Sequence, residues 1–231
     1  MIALGLLLAL SVSAPTDGSC AHIAEPAIES LADGVRGANA IVYADGPAPS
    51  GELDPDEVER RRAALNDGKS VDVPPTGPQT GSGRCAALDL EAVFGYWHGH
   101  GNWDDPGLDT LIDYAKQNGW TTEGALSAPA VLSTAQHFGY SAHEINPSFD
   151  DLRSITHDQH TPLLIGIDGT GSSDPILGHY PSHMMIVEGV TEENGVKYVV
   201  GKDPNLPGDQ VWKWDDLQPS LRSVIRVDPP A

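Results

Sequence analysis

Positive charge is what this chain most lacks. Against 33 Asp and Glu stand only 13 Lys and Arg, a formal charge of −20 with His neutral. Nucleic-acid binders carry a basic surface that displaces counterions from phosphate, and no such footprint is present. The one basic run, Arg60-Arg61-Arg62, sits among acids, so no polybasic patch for an anionic membrane exists either. Cysteine is nearly absent: only Cys20 and Cys85 occur. That excludes a disulfide-dense scaffold and leaves one bridge or two separate thiols. Apolar runs are also short. The first twelve residues are almost wholly apolar, but a membrane span needs about 20, so no stable membrane insertion is expected. Their length, and the Ser, Ala, Pro and Gly that follow, suit a secretory signal over residues 1–21, although no Lys or Arg precedes them. A secreted or cell-envelope protein is therefore expected.

What is present divides the 231 residues in two. Hydrophobic residues make up 39%, and 25 Gly and 19 Pro predict many turns and long loops. Residues 22–75 read as an acidic leader or linker, or a pro-segment, loosely structured apart from one helix over Asp56–Leu65. Asp54 is placed to cap that helix and Pro55 suits its first turn. From residue 76 the punctuation becomes regular. Apolar spacing predicts helices over about Cys85–His98, Pro106–Asn118 and Pro129–Phe138. Strands are expected over Tyr140–Ile145, Leu163–Ile167, His183–Val190, Tyr198–Val200 and Val211–Trp214. Helices first and an antiparallel sheet after them define an α+β domain over residues 76–231.

The residues that carry chemistry follow from this layout. Cys85 opens a helix, where the macrodipole and unpaired N–H groups favour the nucleophilic thiolate. Six residues earlier stands Gln79, whose amide can fold back beside a helix-start N–H to form an oxyanion hole. His183 begins a strand after a Pro-Ser turn, and its far ring nitrogen needs an acceptor. Asp203 ends the following strand, and adjacent antiparallel strands bring the two side by side. The set is Cys85 as nucleophile, His183 as base, Asp203 as orienter and Gln79 as oxyanion donor.

Gln79, the six-residue step to Cys85, His183 on a strand and Asp203-Pro204 on the next resemble the papain-like cysteine peptidases of the C39 and C39-like type. The likeness covers about residues 79–218, including the strand and short helix of Val211–Leu217. It implies helices packed on an antiparallel sheet with an active site in the cleft between them. It also implies hydrolysis of peptide or amide bonds in a peptide or protein substrate, with no cofactor. Ala86 stands where that family usually has Gly. No ATP-binding or membrane module lies within these residues, so the peptidase part of an exporter is not expected; the chain is expected to act as a monomer.

Three other readings compete. His98, His100, His179 and His183 have ligand-like spacings for a zinc-dependent hydrolase, although neither pair has the HExxH pattern with its built-in base. A non-catalytic secreted binding module on a peptidase fold is the second. The third concerns redox state: if Cys20 survives processing it can bridge to Cys85 and silence the thiol, whereas cleavage after Ala21 leaves Cys85 alone. Five tryptophans (Trp97, Trp103, Trp120, Trp212 and Trp214) serve either a substrate groove or packing, and packing is the simpler expectation.

Overall fold

Helix α1 spans Pro55–Gly68, with Pro55 in its first turn and Asp56 and Glu57 at its positive end. A computed structural model describes residues 55–76, 83–99, 106–121, 124–172, 174, 177–180, 182–206 and 208–230. The expected signal peptide, Cys20, the leader up to residue 54, Gln79, His100 and Trp103 lie outside the described residues. Three more helices follow: α2 (Cys85–Trp97), α3 (Leu108–Gln117) and α4 (Ala128–His137). All three match the expected spans to within two residues. The sequence CAALDLEAVFG makes α2 apolar nearly all round, and it is accordingly buried over most of its length.

The sheet has six strands: β1 (Ser141–Ile145), β2 (Leu163–Ile167), β3 (His183–Glu193), β4 (Val196–Lys202), β5 (Asp209–Lys213) and β6 (Leu221–Asp228). Every neighbour is antiparallel, in the order β1-β6-β2-β3-β4-β5. Short helices α5 (Phe149–Arg153) and α6 (Trp214–Leu217) complete the elements used below. The α+β architecture is as expected; β6 and α5 are additions to it. Alternation along the strands builds two cores. Leu164, Met184 and Ile186 join the helices α2–α4 on one face. Leu163, Ile165, Met185 and Val187 pack with α5 and α6 on the other, where Trp212 and Trp214 are buried as packing residues. No helix among the described residues is long and apolar enough to cross a membrane.

The structure corrects the domain boundary. Residues 55–76 are part of the domain, not the end of a loose leader. Ala64 of α1 packs with Tyr198, Val200 and Val211, and Val71 and Val73 enter the same core as Cys85. Glu57 is the polar anchor: it receives Arg61 at 2.7 Å and Tyr198 at 3.1 Å, while Arg61 also donates to the Val211 carbonyl at 2.9 Å. The charged residues hid this from a composition-based reading, because Glu57 and Arg61 of α1 pair with each other and with the sheet rather than with water.

The strap after α1 is pinned to a bulge in β3, where the register slips between Val187 and Gly189. The Glu188 carbonyl accepts from the Ser70 and Val71 N–H groups at 3.2 and 3.1 Å. Its side chain accepts from the Val73 N–H at 2.8 Å and lies 3.7 and 3.6 Å from Lys69 and Lys202. Burial pushes the Glu188 carboxyl up to about 7 against the pull of Lys202 and Lys69, with Asp209 adding to the rise. A raised folded-state value means that the native state holds this proton more tightly than the unfolded chain. The stability it contributes is whole below about pH 4.3 and is lost as pH rises through about 7. Glu188→Gln, which keeps an acceptor for Val73, is expected to flatten the fall in melting temperature between about pH 5 and about pH 8. Parallel melting curves for both proteins across that range count against the assignment.

Candidate active site

The geometry begins with a hairpin. Asn194 and Gly195 both adopt positive φ, 51° and 81°, the requirement of the tight turn whose twist matches the flanking strands. The turn pairs β3 with β4, so His183 at the start of β3 meets the residue just past the end of β4. His183 Nε2 lies 2.9 Å from Asp203 Oδ1, and both side chains are fully buried. Asp203 takes two further hydrogen bonds, from the Tyr180 hydroxyl to Oδ2 at 2.9 Å and from the Asn205 N–H to Oδ1 at 2.8 Å. The Tyr180 ring stacks on the His183 ring, with centroids 3.9 Å apart and planes 12° off parallel. Burial and the Asp203 charge push the Tyr180 hydroxyl well above its ordinary value, so it stays a donor.

This arrangement fixes a tautomer. A carboxylate only accepts, so His183 Nε2 must carry the hydrogen, and the neutral ring presents a lone pair at Nδ1. Nδ1 is buried and has no hydrogen-bond partner. It is the ring atom available to take a proton from a nucleophile.

Cys85 is the first residue of α2 and is fully buried. It shares a core with Met184 and Ile186 of β3, the strand that His183 opens. Cys85 is disulfide-bonded in this structure, and the chain's other cysteine is Cys20. His179 ends a short turn of helix over Leu177–His179, with its side chain outside the described residues. His98 closes the opposite end of α2 from Cys85, and its Nε2 meets the Tyr140 hydroxyl at 2.6 Å. Of the histidines named for zinc, the two whose side chains are described are not gathered: His183 meets Asp203, and His98 meets Tyr140 about 20 Å along the helix from Cys85. Among the described residues, no group of three or more His, Cys, Asp or Glu could hold a metal ion.

Three residues near the site escaped the sequence reading. Tyr180 and Asn205 carry no pattern that marks them. Asp89 does: it is an acid on the apolar face of α2, one turn after Cys85. It is fully buried and neither carboxyl oxygen has a hydrogen-bond partner. Burial, and then the Asp203 charge, hold its carboxyl well above the usual carboxylate range.

No family model and no curated protein matches this chain. Among solved structures it is similar to a double-glycine-motif protease from an AMS/PCAT transporter in complex with the leader peptide. That match has 18% identity and a TM-score of 0.49, and covers 72% of this chain and 97% of the other. It is also similar to the peptidase domain of Streptococcus ComA, a bifunctional ABC transporter involved in quorum sensing, at 17% identity and TM-score 0.46. There the match covers 66% of this chain and 96% of the other. A third likeness is to a structure from work on antibody cross-reactivity between the mite allergens Blo t 1 and Der p 1. It has 12% identity and TM-score 0.48, covering 79% and 73% of the two chains.

Proposed function

We propose that this chain is an exported papain-like cysteine peptidase of the C39-like type. One observation carries the reading: a buried His183–Asp203 hydrogen bond that leaves Nδ1 without a partner. The helix opened by Cys85 packs against the strand that His183 begins. After reduction, the Cys85 thiol gives its proton to His183 Nδ1. The thiolate attacks a peptide or amide carbonyl, and His183 returns the proton to the leaving amine. Asp203 holds the ring throughout. Gln79 and a helix-start N–H steady the oxyanion. Water, deprotonated by His183, then releases the acyl group.

Two electrons from a small dithiol open the Cys85 disulfide, so hydrolysis is expected only under reduction. The test incubates the protein, with and without dithiothreitol, with a complex peptide mixture and reads new peptide ends by mass spectrometry. New ends with reductant, absent for Cys85→Ser, support a peptidase. The oxidised, buried thiol favours a second reading, a non-catalytic binding module on the same fold. The absence of new ends from the reduced wild type supports that module.

A further inference from the structure

Asp89 makes no hydrogen bond and no ion pair that would explain it as a structural residue. Ala86, Leu90 and Val93 of the same helix are buried core residues, and an apolar residue at this position would desolvate no acid. A buried polar group with neither oxygen satisfied is rare in native proteins and calls for a role. Its place suggests one. Residues four apart share a helix face, and helical side chains lean toward the N-terminus, so Asp89 lies on the same face of α2 as Cys85, one turn on. A second buried polar atom without a partner, His183 Nδ1, belongs to the same site. Both unsatisfied groups, Asp89 and His183 Nδ1, face the Asp203 end of the site: Asp203 bonds His183 and its charge acts on Asp89.

We propose that Asp89 is a further catalytic residue, a neutral carboxylic acid whose O–H donates a hydrogen bond to the Cys85 thiolate of the reduced chain. The proposal rests on the peptidase reading. The acid stays uncharged because burial and Asp203 disfavour its anion, so it can donate rather than repel. The surroundings are consistent with this. Its own helix contributes Cys85, while Glu91 is turned away to the Leu108 N–H. Strand β3 contributes His183, and its Glu188 is engaged by Lys69 and Lys202. Past β4 stands Asp203, bonded to Tyr180. The charged residues of α3 and α4 (Asp109, Asp113, Lys116 and His137) are exposed.

The experiment is the pH profile of iodoacetamide labelling of Cys85 in the reduced full chain, for wild type, Asp89→Asn, Asp89→Leu and His183→Ala. A hydrogen bond to a charged group corresponds to about tenfold or more in thiolate population. Asp89→Leu is therefore expected to label about tenfold more slowly at mildly acid pH, with its midpoint moved up, and Asp89→Asn to fall between. At alkaline pH, where every thiol is ionised, all rates should converge, which a mere packing defect does not produce. Should Asp89→Leu fail to fold, the midpoint of Asp89→Asn decides. Midpoints that do not move in the Asp89 variants while His183→Ala moves overturn this proposal alone. A profile unmoved by His183→Ala overturns the peptidase reading instead.

Discussion

Labelling of reduced Cys85 by an alkylator at about pH 6 falls by about 100-fold when His183 is replaced by alanine. The magnitude follows from thiolate populations. An unassisted thiol with a pKa near 8.5 is less than ~1% ionised at that pH, whereas a cysteine paired with a His and placed at a helix N-terminus is largely ionised. Asp203 makes the His183 pairing possible by holding Nε2 at 2.9 Å and leaving Nδ1 for the thiol proton. The Tyr180 stack prevents the ring from swinging away from that alignment. The loss in peptide hydrolysis is larger still. In the proposed mechanism His183 also protonates the leaving amine, and general acid–base catalysis adds roughly 10²- to 10⁴-fold. Labelling is read by mass spectrometry after reduction. Equal, slow labelling of both proteins removes His183 from the chemistry and with it the proposed triad.

The second large effect concerns the strap between α1 and the site. Gly189→Ala is expected to destabilise the fold by about 3–5 kcal/mol, at the upper end for a single substitution. A Cβ there would sit 1.8 Å from the Gly68 carbonyl oxygen and 3.0 Å from the Ser70 nitrogen. Both obstacles are backbone, so the strap must lift. Lifting it breaks the Ser70 and Val71 bonds to Glu188. It also draws Lys69 away from Asp209, which it meets at 2.8 Å, and leaves Glu188 buried with fewer cations. Val71 and Val73 would leave the core that contains Cys85, each at about 1.5–3 kcal/mol for a fully buried side chain. Gly195→Ala is the control. It has positive φ but open space around it, so its cost is confined to backbone strain of about 1–2 kcal/mol. Urea melts of the two variants separate these cases. If Gly189→Ala costs no more than Gly195→Ala, the strap is not an integral part of the domain.

Local signals were legible. Apolar faces placed α2, α3 and α4, and Asn194-Gly195 marked the hairpin. Because that hairpin joins consecutive strands, His183 and Asp203 could be paired before any coordinates. Pro55 and the acid-first order located α1. Long-range decisions were not legible. Strand β6 comes last in the chain yet lies between β1 and β2, and nothing in LRSVIRVD names its neighbours. The docking of α1 was hidden because Glu57, Arg61 and Lys69 look like solvent-facing residues until the sheet supplies their partners.

The order of residues alone therefore determined the classes of element, the acidity of the chain, and the pairing of His183 with Asp203. Tertiary structure decided which of the chain's polar groups lose contact with water. It stacked Tyr180 on His183, buried Asp89 without a partner and raised Glu188 toward neutrality. Burial is the physical reason for the division. Propensity and turn chemistry act over a few residues, while the desolvation that reshapes an acid or a thiol depends on what distant segments bring to cover it.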